Sequence, residues 1–293
     1  MIPGARTRAA RPPARAKGPV VKKRALLLLA GSLVVSAALA GCSSDDKPDL
    51  AYQEQPVEEL YNAAVEKMTD GLYLDAAVRF DEVERQHPYS IWARRAMLMS
   101  AFSYYQSNKY DEAILAADRF ITLHPGNRDA PYAYYLKGVC YYEQITDVGR
   151  DQRMTQQALD ALNEVVRRFP NSEYARDARL KIDMTRDHLA GKEMEIGRYY
   201  LRRNQLVAAI NRFRNVIEKY QTTTHTPEAL HRLVEAYLSL GVTQEAQTAA
   251  AVLGYNYPGS EWYADSYELL TKSNLRPEEN KDSWISRAWN SVF

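Results

Sequence analysis

The chain has 293 residues, of which 46% are hydrophobic and 26% are charged, proportions that are ordinary for a globular protein. Its formal charge of +1 hides an asymmetry, because the first 41 residues hold eight Lys or Arg and no acid. Subtracting these eight from the 38 basic residues leaves 30 against 37 acidic residues, so the rest of the chain carries a charge of −7. Such a body has no excess of basic residues for neutralising phosphates, and we therefore expect no nucleic-acid partner.

The N-terminal segment has the parts of an export signal. Lys22, Lys23 and Arg24 precede a run of 18 uncharged residues, Ala25–Cys42, which ends in small residues. A membrane-spanning helix normally needs about 20 apolar residues, and no basic residue stands directly after this run to stop transfer. Residues 1–41 are therefore predicted to be a signal peptide rather than a membrane span.

The end of this signal, Leu39-Ala40-Gly41-Cys42, resembles the lipobox of bacterial lipoproteins. The resemblance implies cleavage before Cys42 and attachment of acyl chains there, which would anchor the protein stably in a membrane. Ser43 in the next position implies, by the same resemblance, sorting to the outer membrane. Residues 42–55 are then a lipidated polar tether.

The body of the chain carries a recurring landmark, an alanine followed twelve residues later by a proline. A proline cannot continue a helix and pushes the preceding residue into an extended conformation, so each one predicts the end of an amphipathic helix. The fourth unit along the chain keeps the alanine and replaces the proline with glutamine. The pairs are Ala76–Pro88, Ala113–Pro125, Ala158–Pro170, Ala209–Gln221 and Ala246–Pro258.

In each unit a small or medium-sized residue precedes the alanine, and in most units a tyrosine follows that small residue. This frame resembles the tetratricopeptide repeat, in which small residues stand where two helices approach closely. The sequence therefore predicts an all-α superhelical solenoid of about five helical hairpins, with units one to three in residues 56–171 and units four and five in residues 172–275. The small residues are Ala64, Ala101, Gly138, Gly197 and Val234.

Two units depart from the regular spacing. Unit three contains an insertion around Ile145–Gln157, predicted to lie between its two helices. The junction to unit four is 14 residues longer than the others, which corresponds to about 21 Å of helix. A lengthened helix between units three and four is therefore predicted, joining two half-arrays that each have a surface of their own.

In a solenoid of this kind the first helix of each hairpin lines a concave face. That face would be aromatic and modestly charged, which suits an extended or helical peptide. Packing between hairpins is the alternative use for each of these side chains. The predicted peptide groove consists of Tyr61, Arg95, Leu98, Phe102, Tyr105, Tyr132 and Tyr135.

The C-terminal segment, residues 276–293, is predicted to be an amphipathic tail. One helical stripe of this segment is apolar and requires burial. It could cap the last repeat, or it could dock on a partner or on lipid headgroups. The stripe consists of Trp284, Ile285, Ala288, Trp289 and Val292.

No catalytic constellation is visible in the sequence. The five histidines lack metal-binding spacing, and no glycine-rich phosphate loop or nucleophile elbow is present. Cys140 stands in an apolar helical stretch and is predicted to be an inert buried thiol. We therefore expect a protein that is not an enzyme and that uses no metal or cofactor beyond the lipid on Cys42.

The lipobox and the repeats together resemble the BamD (ComL) family of tetratricopeptide-repeat lipoproteins. The segments that carry the resemblance are "DRFITLHPGN", "YYLKGVCYY", "VVRRFPNSEYARDA" and "YYLRRNQLVAAINRF". The resemblance implies a periplasm-facing scaffold of the β-barrel assembly machinery, which holds a periplasmic domain of BamA and recognises unfolded outer-membrane barrel proteins. Arg212 matches a family arginine that participates in coupling to BamA. A different lipoprotein adaptor, for peptidoglycan or cell-division enzymes, is the alternative.

Overall fold

The computed structural model of the chain describes residues 54–291, and within them the protein contains helices, turns and loops but no strand. The all-α fold class predicted from the sequence is confirmed. The twelve helices of this part of the chain are α1 Val57–Thr69, α2 Tyr73–Gln86, α3 Ile91–Gln106, α4 Tyr110–Leu123, α5 Ala130–Glu143, α6 Arg153–Arg168, α7 Glu173–Arg202, α8 Leu206–Lys219, α9 Thr226–Leu240, α10 Thr243–Asn256, α11 Glu261–Lys272 and α12 Trp284–Asn290.

Neighbouring helices pack as hairpins, and a left-handed residue ends the first helix of most of them. Gly71 and Gly241 have φ of +76°, and Asn108 and Asn204 have φ of +58° and +57°. Glycine adopts this conformation without steric cost, and asparagine tolerates it better than other residues. The reversal lets the backbone N–H groups after the helix reach its last carbonyls, so the second helix can fold back after a short turn.

The second helix of each hairpin stops where the sequence predicted. Helices α2, α4, α6 and α10 end two residues before Pro88, Pro125, Pro170 and Pro258. Helix α8 ends at Lys219 in the same way, although Gln221 stands in the proline position. The carbonyl oxygens of Tyr220 and Gln221 there accept from the Thr226 hydroxyl, at 3.2 Å and 2.9 Å.

The small residues of the repeat frame lie at close helix contacts. Ala64, Ala101 and Val234 are fully buried. A Cβ atom on Gly197 would lie 2.4 Å from Cε1 of Phe213, a fully buried ring on the next helix. Glycine therefore sets the distance between α7 and α8.

Helix α7 is the lengthened helix predicted between units three and four, and it is 30 residues long. Its side chains enter two hydrophobic clusters in succession. Ile182 and Leu189 pack with the α6 side chains, whereas Ala190 and Met194 pack in the core formed by α8 and the helices that follow it. The helix therefore contributes to the cores of both predicted half-arrays.

The insertion of unit three lies against the middle of α7. The Nζ atom of Lys192 donates to the carbonyl oxygen of Gly149 at 3.0 Å, and Val148 lies beside Gly191. The insertion is shorter than the sequence suggested, because α6 begins at Arg153 and residues 153–157 are helical.

The C-terminal tail folds back onto the repeats. Helix α11 packs on α9 and α10, whereas α12 lies across α8 and α10. Ile285 and Trp289 are buried there, and Trp284 and Ala288 are partly buried. The predicted stripe is thus buried within the chain, Val292 lies outside the described residues, and the helix at the end of the array is α11. None of the helices in residues 54–291 combines the length and the apolar character needed to cross a bilayer.

Candidate partner-binding surfaces

The first candidate surface is a cavity of about 840 Å³ formed by α1, α3 and the loop between α4 and α5. It brings together three residues of the predicted groove, Tyr61, Arg95 and Leu98. The sequence prediction did not include the remaining lining residues, and three of them, Asn127, Arg128 and Asp129, reach α3 from the α4–α5 loop only through tertiary packing. The additional lining residues are Ile91, Arg94, Met99, Phe120, Asn127, Arg128 and Asp129.

Aromatic packing holds the wall of this cavity. The ring centroid of Tyr61 lies 5.4 Å from that of Phe80 and 4.8 Å from that of Trp92. The guanidinium of Arg95 lies over the Trp92 ring, 5.7 Å from its centroid. Burial raises the pKa of Tyr61, and the charge of Arg95 opposes that rise. The cavity therefore presents the half-buried Tyr61 ring, supported from behind by Phe80 and Trp92, with the Arg95 guanidinium beside it.

The charge of the cavity is positive. Its lining includes three arginines and one carboxylate, and that carboxylate, on Asp129, pairs with Arg128 at 3.5 Å. Within residues 54–291, no carboxylate lies in ion-pairing distance of Arg94 or Arg95. Two guanidiniums are thus available for an acidic group of a ligand.

Phe102 and Tyr105 lie further along α3 and outside this cavity. Both are partly buried against the cluster that α3, α4 and α5 form around Ala101 and Ala117. The Tyr105 ring packs at 6.0 Å from Tyr110, and burial raises its pKa. For these two residues the structure therefore shows a packing contact, and a contact with a ligand remains a prediction.

Tyr132 and Tyr135 meet a third aromatic residue on α7. Their ring centroids lie 5.5 Å and 5.3 Å from that of Tyr174. The hydroxyl of Tyr135 donates to the Asp177 carboxylate, and this bond is the main cause of the lowered pKa of Asp177. Tyr135, Tyr174 and Asp177 line a shallow hollow of about 380 Å³ beside Leu180, which is 62% exposed.

Arg212 lies on α8 and is paired within the chain. Its Nη1 atom lies 3.3 Å from both carboxylate oxygens of Glu193 on α7, and the side-chain amide of Asn215 donates to the same carboxylate at 3.1 Å. The side chain of Arg212 remains 38% exposed. The guanidinium is therefore held in a fixed position while part of it still faces solvent.

The other predicted sites have simple outcomes. Cys42 lies outside the described residues, as do the signal peptide and most of the tether. Gln55 at the end of the tether is described, and its backbone N–H donates to the side chain of Gln86 at 3.0 Å. Cys140 is a free buried thiol whose pKa is raised by burial to about 12. Within residues 54–291 no three His, Cys, Asp or Glu side chains are grouped so that they could hold a metal ion.

Comparison with known proteins identifies the family. The family described as YfiO, outer membrane lipoprotein, matches residues 53–253. The outer membrane protein assembly factor BamD of Caulobacter vibrioides is 58% identical over 247 residues, which cover 84% of this chain and 81% of that protein. The chain belongs to the BamD family of outer membrane protein assembly factors.

Further relatives carry the same name. BamD of Rickettsia prowazekii is 46% identical over 244 residues, covering 83% of this chain and 96% of the relative. Among solved structures, a thermophilic TPR protein of Thermus thermophilus is 18% identical and covers 74% of this chain and 100% of its own, with a TM-score of 0.34. The family gives the chain a role in outer membrane protein assembly.

Proposed function

We propose that the chain is a non-enzymatic scaffold that couples unfolded outer-membrane barrel proteins to BamA at the periplasmic face of the outer membrane. The observation that carries the proposal is the basic, aromatic cavity at the N-terminal end of a chain that belongs to the BamD family. Family membership favours this function over an adaptor for peptidoglycan or cell-division enzymes. No metal or cofactor takes part, because binding and positioning are the only chemistry that the proposal requires.

The N-terminal cavity would take a peptide segment of the barrel protein. Arg94 and Arg95 suit a carboxylate, and the Tyr61 ring suits an apolar or aromatic side chain beside it. Guanidinium groups that bind carboxylates give both charge attraction and a fixed hydrogen-bond geometry. The hollow lined by Tyr135 and Leu180 is a second candidate site, between α5 and α7.

The substrate site can be tested with a fluorescent peptide that carries the C-terminal strand of a barrel protein. Arg95→Gln should weaken binding about 10- to 150-fold, since a hydrogen bond to a charged group contributes about 1.5–3 kcal/mol. Arg167→Gln is the matched control, because that arginine is an exposed residue of α6 paired with Glu164. Equal affinities of the two variants would reject the cavity as the peptide site.

Phe102 and Tyr105 need a test that separates lining from packing. Phe102→Ala and Tyr105→Ala should both weaken binding of the same peptide, and their urea midpoints measure the packing contribution separately. If the variants bind the peptide more weakly under conditions in which both remain folded, Phe102 and Tyr105 line the groove. Unchanged affinity would remove the two residues from it.

Arg212 is the proposed contact with BamA. The pair with Glu193 holds its guanidinium in place, and the exposed part of the group could bond to an acidic residue of a partner. A photo-crosslinker at Asn211, an exposed neighbour, should capture BamA in cells, whereas one at Leu115 on the outer face of α4 should not. Absence of BamA among the Asn211 products would contradict the docking assignment.

Cys42 is the proposed lipid attachment site. Labelled palmitate should enter the wild-type protein and be absent from Cys42→Ala. Labelling of Cys42→Ala would place the lipid elsewhere.

A further inference from the structure

The tail follows α10 before it reaches α8. The backbone N–H of Asn280 donates to the Thr248 hydroxyl at 3.2 Å, and the Ser283 hydroxyl donates to the Glu245 carboxylate at 2.6 Å. Helix α12 then begins with Trp284, whose indole N–H donates to the hydroxyl of Tyr237 at 2.9 Å. Tyr237 is the tyrosine of the repeat frame in unit five, so the tail uses a packing residue of the array as its partner.

Helix α8 is held from two opposite sides. On one side Arg212 and Asn215 bond to Glu193 of α7. On the other side the guanidinium of Arg214 lies over the Trp284 ring, 4.7 Å from its centroid, which is within the range of a cation–π contact. Residues two apart on a helix point about 200° apart, so Arg212 and Arg214 face opposite flanks.

The irregular fourth repeat contributes to the same contact. Gln221 occupies the position that is proline in the other units, and it is buried. Its Nε2 atom donates to the carbonyl oxygen of Ala288 in α12 at 2.7 Å. A proline side chain has no donor, so the departure from the repeat pattern at this position supplies a bond to the tail.

We propose that Trp284 is a positioning residue for Arg212. The tail fixes α8 against α7, and this keeps the Arg212 guanidinium on Glu193 and at the surface where a partner would meet it. Loss of the Trp284 contacts removes the contact of the tail with Arg214, so α8, which still packs on α9, would sample orientations in which the Arg212 guanidinium is displaced. The inference rests on the proposed docking function of Arg212, and its partner is the periplasmic domain of BamA.

Trp284→Ala in the full-length lipoprotein tests the proposal through hydrogen exchange. We expect amides of α8 to exchange about tenfold faster, which corresponds to about 1.4 kcal/mol of lost protection. Trp284→Phe keeps a ring under Arg214 and should restore most of the protection. Trp262→Ala is the control, because this tryptophan lies on α11 and stacks on His231, away from α8. Exchange in α8 that is unchanged by Trp284→Ala would overturn the proposal.

A double-mutant cycle on binding separates positioning from direct contact. Trp284→Ala should weaken binding of the BamA periplasmic domain about tenfold in the wild-type background and have no effect in an Arg212→Ala background. An equal loss in both backgrounds would mean that the tail acts independently of Arg212, and the proposal would fail. If Arg212→Ala alone leaves binding unchanged, the docking function fails, and the exchange experiment still decides whether Trp284 positions α8.

Discussion

Gly197→Ala is a sharp test of how the repeat frame sets helix spacing. The added Cβ atom would lie 2.4 Å from Cε1 of Phe213 and 2.8 Å from both Cδ1 and Cζ. The Phe213 ring is fully buried and cannot swing into solvent. Overpacking of this kind costs about 1–3 kcal/mol, and the better helix propensity of alanine offsets about 1 kcal/mol of it. We expect a net loss of up to about 2 kcal/mol in the free energy of unfolding.

The measurement is urea unfolding followed by circular dichroism, with Gly138→Ala as the matched control. At Gly138 the nearest atoms are Cδ2 of the buried Leu162 at 2.9 Å and its Cγ at 3.2 Å, so the overlap is smaller than at Gly197 and the loss of stability should be smaller. Phe213→Leu should cost less in the Gly197→Ala background than alone, because the smaller side chain relieves the clash. If Gly197→Ala is as stable as the wild type and the two substitutions are additive, the steric explanation is wrong.

Three further predictions concern single side chains. Cys140 should resist alkylation in the native protein, because burial raises its pKa and leaves little thiolate. Mass spectrometry should detect the alkylated cysteine only at urea concentrations that unfold the chain. Rapid alkylation of the native protein would contradict this. The hydrogen bond from the Tyr135 hydroxyl is the main cause that lowers the pKa of Asp177 from 3.8. The ionised Asp177 carboxylate therefore stabilises the folded state above pH 3.8, and this stabilisation is lost as the pH falls through the lowered pKa. The difference in unfolding free energy between wild type and Tyr135→Phe should therefore shrink in acid, and a difference that is constant from pH 7 to about pH 2 would refute the assignment. Arg119→Ala breaks a partly exposed ion pair with Glu84. We expect the free energy of unfolding, measured by urea, to fall by less than about 1 kcal/mol. A larger loss would contradict the expectation that exposed ion pairs contribute little.

The candidate surfaces were predictable only in part. Tyr61, Arg95 and Leu98 share one cavity because the residues stand on the inner faces of α1 and α3, which the repeat frame indicated. Arg128 and Asp129 complete the cavity from the α4–α5 loop, and no periodic pattern places a loop side chain. Phe102 and Tyr105 pack against their own hairpin and lie outside the cavity. The sequence pattern places an aromatic residue on the inner face but does not tell whether it lines a cavity or packs on a neighbouring helix.

The sequence by itself determined the all-α fold, the ends of the four helices that precede a proline, and the close contacts at Gly138 and Gly197. These features depend on local chemistry, namely the missing N–H of proline, the conformational freedom of glycine and asparagine, and the spacing of small residues along a helix. Only the tertiary structure decided that Arg212 pairs with Glu193, and that Trp284 bonds to Tyr237, 47 residues earlier in the chain. Such contacts join residues whose separation carries no periodicity, because they depend on how whole helices pack against one another.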